Sequence, residues 1–338
     1  MANLIIIGNG FDLAHGLKTS YNDFILHILN SRLKNELVYQ KLFEFKIKPD
    51  NLEHFHVLLK KLDIRQLIKS DNIFFLNLLS HSIEKNWYDI EQFYYDELLY
   101  TSVDDNSRFH AFGIEKLNSD FNQIKILLEN YLTMQEKGVK PISTFNTFFS
   151  KLIEARSNRR NDLILNFNYT NTLNSYTTIS NNFDIMHIHG ELNHIKNPIV
   201  FGFAANLEEN RVLLDKNDFN YLTNIKKHNY KFTRQEEVLK GYLSYNEPIN
   251  IYILGHSIGL SDKLILNQIF NHKNIYRIKV FYHNNHLNYF KTQVNIDRIM
   301  DNDENFEKLE SFEKALRMPQ YKDNQKLNTE FLEKLKYL

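Results

Sequence analysis

The sequence predicts an α/β fold in which a parallel β-sheet is covered by helices on both faces. Residues 3–7, Asn-Leu-Ile-Ile-Ile, form a largely apolar run that ends at Gly8, a pattern typical of a parallel strand buried on both faces. After residue 157, short apolar segments alternate with helical patterns, as in successive βαβ units. Between residues 22 and 157 the periodicity is helical, which predicts a large, mainly helical insertion after the first strand.

The other predicted elements follow in chain order. Helical patterns in the insertion cover 21–46, 52–69, 72–86, 88–100, 114–136 and 143–156. Predicted strands cover 162–167, 184–189, 199–202, 249–254 and 275–282. Later helical patterns cover 233–246, 262–271, 286–300 and 304–337. We therefore expect one α/β domain over 1–338, with its core in 1–21 and 158–300, the insertion in 22–157, and a helical C-terminal segment in 301–338.

Composition excludes several classes of protein. The chain has 41 basic and 41 acidic residues, so its net charge does not favour nucleic acid or an anionic membrane as a partner. The absence of cysteine excludes a disulfide framework, a cysteine zinc site and a thiol nucleophile. Apolar runs stay well below the ~18 residues of a membrane span, and the N-terminus lacks the basic flank of a signal peptide. We expect a cytoplasmic protein.

The first candidate for a binding segment is the turn after the first strand. Only 10 of the 338 residues are glycine, and two of them, Gly8 and Gly10, lie in this turn. Glycine lets a backbone turn sharply, and the N-terminus of the following helix favours an anion, so the turn can bind a phosphate group. The motif is not a complete G-x-G-x-x-G, because residue 13 is leucine. An ordinary strand-to-helix turn is the alternative.

The second candidate segment is Asn-Phe-Asn-Tyr-Thr at the end of the strand 162–167. The amide of Asn168 can both donate and accept hydrogen bonds, so it can hold a substrate hydroxyl or an attacking water. The alternative is that Asn and Thr side chains in this segment cap the next helix. Both interpretations of Asn168 stay open from these residues alone.

The third candidate segment contains two histidines at the end of the strand 184–189. His187 and His189 alternate with apolar residues, so we expect both on one face of the strand. With Glu191 and His194 they form H-x-H-x-E-x-x-H, which is one possible metal-binding set. A neutral imidazole acting as general base near pH 7 is the interpretation we prefer, since no other segment supplies convincing further ligands.

The fourth candidate segment, Gly-His-Ser-Ile-Gly at 255–259, matches the G-x-S-x-G elbow of α/β-hydrolases. That fold requires an acid and then a histidine later in the chain. Asp262 follows Ser257 by five residues, and we expect it to be too near to orient a distant histidine. The later histidines are His272, His283 and His286. We therefore interpret Gly255, His256 and Ser257 as a second turn that binds phosphate or ribose.

Taken together, these segments resemble the AbiH family of bacteriophage abortive-infection proteins. The resemblance rests on GNGFDLAHGLKTSYNDF, on a Trp-x-Asp-x-Glu segment (Trp87, Asp89, Glu91), and on NFNYTNTL, HIHGE and ILGHSIGLSD. It runs from Ile5 to about Asn285. The family is in turn distantly similar to the sirtuin-like NAD-binding fold, which implies a sirtuin-like, Rossmann-type sheet for this chain.

The resemblance also implies roles for individual residues. Asn168 would place the ribose or a water, and His189 would be the base that acts on the ribose hydroxyls of NAD. The residues expected to bind the nucleotide are Gly8, Asn9, Gly10, Phe11, Asp12, Gly255, His256, Ser257 and Asn284. One position departs from the pattern, because Thr170 stands where an acid usually follows Asn-Tyr. Deacetylation is not expected, since that activity goes with a cysteine zinc module.

These inferences lead to one leading hypothesis and two alternatives. The leading hypothesis is a phage-defence protein that binds NAD and cleaves its nicotinamide–ribose bond. The first alternative is a nucleotide-binding sensor or interaction protein without catalysis, and the second is a metal-dependent hydrolase or nuclease using His187 and His189. Besides the nucleotide, a phage-encoded trigger and a second copy of the chain are the expected partners.

Overall fold

A computed structural model describes residues 1–85, 89–103, 113–156, 161–204, 211–322, 331 and 333–335. The chain forms two compact units. Unit 1 comprises Met1–Lys18, Leu132–Val200 and Lys226–Leu338, and unit 2 comprises Thr19–Tyr131 and Phe201–Ile225. The division into a nucleotide-binding core and an insertion that the sequence suggests stays a prediction.

The secondary structure of the described residues is mixed. The strands are β1 (Ala2–Ile7), β2 (Glu44–Phe45), β3 (Ile68–Lys69), β4 (Asp162–Asn166), β5 (Phe183–His187), β6 (Ile249–Leu254), β7 (Ile275–Tyr282) and β8 (Leu316–Arg317). The helices are α1 (Asn9–Ala14), α2 (Tyr21–Leu33), α3 (Leu52–Leu59), α4 (Ile64–Leu67), α5 (Ile73–Lys85), α6 (Ile90–Val103), α7 (Gly113–Gln135), α8 (Ser143–Ala155), α9 (Thr177–Ser180), α10 (Arg211–Leu214), α11 (Lys226–Phe232), α12 (Gln235–Leu243), α13 (Lys263–Phe270), α14 (His286–Asp297) and α15 (Asp303–Phe306).

Unit 1 is built on a six-stranded parallel sheet with the order β5-β4-β1-β6-β7-β8. The central strand β1 pairs with β4 and β6, so that Ile7 lies level with Asn166 and with Leu254. On the outer side of β4, Asn166 lies level with His187 of β5. The predicted α/β class with a parallel sheet is therefore confirmed. The carboxyl ends of β5, β4, β1 and β6 lie side by side at one edge.

The sheet is buried on both faces because alternate residues of its strands are apolar in both directions. Leu4 and Ile6 of β1 belong to the core on one face, which also includes side chains of α12, α13 and α14. Ile5 and Ile7 belong to the core on the other face, which includes side chains of α1 and α8. All six residues of β1 are buried, which explains the apolar run over residues 4–7.

Two predicted elements of the sheet region are wrong. The segment 199–202 is not a strand, because its backbone finds other partners: the N–H of Val200 donates to the carbonyl of His189, and that of Gly202 donates to the carboxylate of Glu91. In the described residues 304–322, the predicted helix 304–337 gives way to the short helix α15 and to β8, which pairs with the end of β7 as the sixth strand.

Unit 2 contains the helices α2 to α6, the part of α7 up to Tyr131, α10 and a small antiparallel ribbon of β2 and β3. The predicted helix 21–46 ends at Leu33, because Asn35 adopts a left-handed backbone (φ 60°) that stops the helix. The predicted helix 52–69 divides into α3 and α4, followed by β3. Aromatic stacking, such as Phe121 on Phe201 at 4.6 Å between ring centroids, holds the core together. None of the described helices combines the length and apolar character needed to cross a membrane.

Candidate functional site

The turn after β1 packs directly on the turn after β6. A Cβ atom on Gly8 would lie 2.6 Å from Cα of His256, and one on Gly10 would lie 2.7 Å from both Cα and O of Gly255. Gly255 has φ +70°, and a Cβ there would overlap the backbone of Gly10 and Phe11. The three glycines are thus needed because two backbones meet here without room for side chains. The structure therefore brings together the first and fourth candidate segments.

The backbone N–H groups of this turn already have partners within the protein. The N–H of Gly8 donates to the carbonyl of Leu254 at 3.1 Å, and that of Gly10 donates to the carbonyl of Gly255 at 2.8 Å. The N–H of Phe11 donates to the carbonyl of Gly8 at 2.8 Å. The first two of these bonds join the segments after β1 and at the end of β6, and the third closes the first turn, so the assignment of the turn to phosphate stays a prediction.

A buried carboxyl group lies in the first turn of α1. Asp12 is 1% exposed, and its two oxygens accept hydrogen bonds from the hydroxyls of Thr170 (2.5 Å) and Thr172 (2.7 Å). Burial raises the pKa of Asp12 from its usual 3.8 to about 6, although hydrogen bonds from Thr170, Thr172 and Asn168 act in the opposite direction. Position 170 is not acidic in this chain, but a carboxyl group lies beside it.

Asn168 lies just past the end of β4 and is buried. Its Nδ2 donates to the carbonyl of Gly8 at 3.1 Å, and its side chain also bonds to Asp12. Its backbone N–H is held by Oδ1 of Asn166. The two hydrogens of Nδ2 can serve these two acceptors, which leaves Oδ1 to accept a hydrogen bond from a ligand.

His189 belongs to a second buried cluster, which we call the Asp262 cluster and which consists of His189, Lys226, His256 and Asp262. Oδ1 of Asp262 lies 3.0 Å from Nε2 of His189 and 3.3 Å from Nζ of Lys226. Oδ2 of Asp262 lies 3.4 Å from Nε2 of His256. Lys226 is fully buried, and the other three residues are at most 8% exposed.

The charge state of the Asp262 cluster follows from burial and from its one lysine. Burial would raise the pKa of Asp262, but Lys226, with smaller contributions from the two histidines, outweighs it and holds the pKa well below its usual value. Burial lowers the pKa of His189 and Lys226 lowers it further, and together they outweigh Asp262, which raises it. His189 is therefore a neutral imidazole at pH 7, as a general base must be. Although Nε2 lies near Asp262, it has no well-aligned hydrogen bond with any of the described residues.

His256 is fixed by a strained turn. Its Nδ1 accepts a hydrogen bond from the backbone N–H of Ile258 at 2.9 Å, so the proton of the neutral ring lies on Nε2, facing Asp262. Ile258 has φ 55°, a left-handed conformation that costs a β-branched residue roughly 1–3 kcal/mol. Such strain is often found at functional sites, because only a strongly constrained structure can maintain it.

The acid of the fourth segment contacts a histidine from another segment. Asp262 reaches His189, which lies 73 positions before it in the chain and not after it, as the hydrolase elbow would require. The turn Leu260–Asp262 at the start of α13 carries the carboxylate back over the sheet edge. Ser257 itself is exposed, and its carbonyl accepts a hydrogen bond from Asn295. The histidines of the Asp262 cluster contact the acid, not this serine.

The two histidines of the third segment have different surroundings, so the expectation of a shared face is wrong. Strand β5 ends at His187, and residues 188 and 189 form a turn. The ring of His187 lies near Asn166 and the carbonyl of Asn168, whereas His189 packs against Phe167 with 5.1 Å between ring centroids. Among the described residues, no three histidine or carboxylate side chains are placed to hold a metal ion together.

The remaining predicted residues lie in different places. Phe11 is a core residue whose ring packs on Phe145, and Asn9 is exposed at the start of α1. Asn284 is exposed just after β7. In unit 2, Glu91 accepts a hydrogen bond from the N–H of Gly202, whereas Trp87 lies outside the described residues.

Comparison with known families identifies the chain. The family model described as bacteriophage abortive infection AbiH matches residues 4–284, which is most of the sequence. The chain belongs to the AbiH family. Its function therefore lies in abortive-infection defence against bacteriophages. No curated protein and no solved structure matches the chain. In this AbiH protein, the matched region includes Gly8, Asp12, Asn168, His189 and Asp262.

Proposed function

We propose that this AbiH protein binds NAD at the carboxyl edge of its sheet and cleaves the nicotinamide–ribose bond, which depletes NAD in an infected cell. Cleavage breaks the bond between C1′ of the ribose and the ring nitrogen of nicotinamide. The oxygen of a water takes the place of nicotinamide on C1′, and neutral nicotinamide, ADP-ribose and one proton are formed.

The observation that carries the proposal is the state of His189. It is a buried, neutral imidazole two residues past the end of β5, and its Nε2 faces the ionised carboxylate of Asp262, which leaves Nδ1 as the nitrogen that can accept a proton. A base in this state can accept a proton from a ribose hydroxyl while positive charge builds on the sugar. A structural histidine in a core is normally fully hydrogen-bonded.

Asn168 supplies the second function that cleavage needs. It follows β4 as His189 follows β5, and the ring of His189 contacts both neighbours of Asn168: Phe167 at 5.1 Å and Tyr169 at 6.2 Å between centroids. Its Oδ1 can accept a hydrogen bond from the attacking water, and the fixed amide keeps that water oriented. Orientation of this kind lowers the barrier because it is set before the reaction begins.

The fit to NAD is best at its nicotinamide–ribose end. Asn168 and His189 offer an acceptor and a base to the sugar, whereas the N–H groups of Gly8 and Gly10 are bonded within the protein. Binding of the diphosphate by the turns at residues 8–12 and 255–257 therefore rests on the family resemblance. The exposed Ser257 and Asn284 lie where they are accessible to a ligand.

A sensor that binds a nucleotide without cleaving it is the second candidate. The feature in its favour is that the side chains around Asn168 already bond to one another, since Nδ2 holds Gly8 and the hydroxyl of Thr170 holds Asp12. In a sensor, this network would shape the pocket and stabilise the bound nucleotide, and no water would be activated.

The deciding experiment is incubation of the purified protein with NAD, followed by chromatography for nicotinamide and ADP-ribose. We expect nicotinamide release that a chelator does not affect. Loss of the base should slow the reaction of His189→Ala by ~10²–10⁴-fold. His187→Ala should be milder, and the exposed His228→Ala should match the wild type.

Each alternative function gives its own result in this assay. A rise in melting temperature with NAD, without any nicotinamide release, would replace the enzyme by the sensor. Release that stops on addition of a chelator would show that a metal ion is required. Asn168→Ala should abolish release while the far-ultraviolet circular dichroism stays that of the wild type.

A further inference from the structure

We propose that Lys226 is the positioning residue of this site: by neutralising Asp262 inside the protein, it leaves His189 uncharged and free to act as a base. The consequence for catalysis rests on the proposed function, but the charge state of His189 can be measured without it. Sequence reasoning gave no reason to select Lys226 among the 41 basic residues.

The geometry shows competition for one oxygen atom. Nζ of Lys226 and Nε2 of His189 both approach Oδ1 of Asp262, at 3.3 and 3.0 Å. The ammonium group of the lysine donates a hydrogen bond to this oxygen, so the two side chains share one acceptor. Lys226 is the first residue of α11 and is fully buried, so its ammonium group is committed to this interior position.

The charges that face His189 come from several elements. The loop after β6 contributes His256, the turn before α13 contributes Asp262, and α11 contributes Lys226 and the phenol of Tyr230, whose ring stacks on His189 at 6.1 Å. Tyr169 after β4 and the apolar ring of Phe167 complete the surroundings. One positive and one negative side chain therefore face His189 when both histidines are neutral.

Nδ1 of His256 is already occupied by a hydrogen bond in the observed arrangement. Its Nδ1 accepts the N–H of Ile258, and protonation of Nδ1 would place two hydrogens against each other. Without Lys226, the carboxylate of Asp262 would thus have His189 as its available source of positive charge. A buried carboxylate requires a charged partner, so His189 would become an imidazolium ion and lose its function as a base.

The size of the effect follows from the shared oxygen. Two atoms that both contact Oδ1 of Asp262 are at most ~6 Å apart, and a unit charge at that distance changes a pKa by about 2 pH units at an effective dielectric constant near 20. We expect the pKa of His189 to rise by this amount in Lys226→Met. Lys227→Met is the matched control, because it removes the same charge from the next, partly exposed position.

The test is an NMR titration of the imidazole of His189 in wild type, Lys226→Met, Lys227→Met, Asp262→Asn and the double variant Lys226→Met/Asp262→Asn. The pKa should rise in Lys226→Met, stay unchanged in Lys227→Met, and return close to the wild-type value in the double variant. If Lys226→Met does not fold, the effect of the lysine is measured by comparing the pKa of His189 in the double variant with its pKa in Asp262→Asn. An unchanged pKa of His189 on either route would overturn the proposal.

The pH profile of NAD cleavage separates this inference from the proposed function. In Lys226→Met, the acidic limb of kcat/KM should move to higher pH by the same amount as the pKa, and activity should recover at alkaline pH. A loss of activity equal at every pH would show a merely structural role and would contradict the inference. If the wild type does not cleave NAD, the proposed function fails, and the titration still decides the role of Lys226.

Discussion

Replacement of Asp12 by asparagine should stabilise the protein at neutral pH, because its carboxylate is buried at a cost. Burial raises the pKa of Asp12 from 3.8 to about 6. A difference of about two pH units corresponds to ~3 kcal/mol in the free energy of unfolding. The replaced group keeps its shape, and an amide can still bond to the hydroxyls of Thr170 and Thr172.

The direction of the pH dependence of stability follows from the number of protons that the folded and unfolded states bind. Below pH 3.8 the carboxyl is protonated in both states and contributes no pH dependence. Between 3.8 and about 6 the unfolded chain is ionised while the folded protein keeps its proton, so stability falls as the pH rises. Above about pH 6 both states are ionised, and the wild type remains less stable than Asp12→Asn by ~3 kcal/mol. Any hydrogen-bond energy that asparagine fails to replace reduces this difference.

Urea unfolding of both proteins at intervals from pH 4 to 7.5 measures this difference directly. The stability of Asp12→Asn minus that of the wild type should grow with pH and level off above about 6. Asp297→Asn, at an exposed position, is the control for loss of a carboxylate in general. A difference in stability that stays constant across this pH range would refute the conclusion that residue 12 is a buried carboxylate with a raised pKa.

Four further predictions follow from the same edge of the sheet. Gly255→Ala should lower stability by about 3 kcal/mol or more, because its Cβ would overlap neighbouring backbone. Gly16→Ala, also at positive φ but in open space, should lose about 1 kcal/mol. Equal urea midpoints of the two variants would contradict this. Gly10→Val should melt at lower temperature even without NAD, since its Cβ meets Gly255. Ser257→Ala should weaken NAD binding by ~1 kcal/mol at most, and covalent labelling of this serine by a fluorophosphonate would restore the hydrolase interpretation. Infected cells with His189→Ala should keep their NAD and lose protection; equal NAD pools with protection by the wild type alone would end the cleavage hypothesis.

Local patterns were sufficient to predict the fold class, because the buried strands leave uninterrupted apolar runs. Strands β1, β4, β6 and β7 coincide closely with their predicted positions. Strand β8 was missed because two residues, Leu316–Arg317, are too few to produce a periodicity. The segment 199–202 has strand composition, but its partners are a turn and a carboxylate, which no local pattern can specify.

The candidate site was predictable only in part. The rule that ligands bind beyond the carboxyl ends of parallel strands selected Asn168, His189 and the glycine turn. It could not show that Asp12 binds Thr170, 158 positions away, or that Asp262 reaches His189. The sequence does indicate Asp262, because this acid follows soon after a strand end. Its position only five residues after Ser257 led us to expect that it could not contact a distant histidine.

Both edges of the sheet bury an aspartate whose pKa burial raises, Asp162 at the amino edge and Asp12 at the carboxyl edge, but the carboxyl edge also holds the buried, neutral His189. At the amino edge, the oxygens of Asp162 accept hydrogen bonds from Asn3 (2.8 and 3.0 Å) and Arg156 (3.3 Å), an arrangement that ties β4 to β1. At the carboxyl edge, burial raises the pKa of Asp12 to about 6, and His189 is neutral without a well-aligned partner for Nε2. Buried polar groups that only stabilise a fold are normally satisfied. Groups held in a costly state at a strand end are what a site requires to bind and transform a ligand.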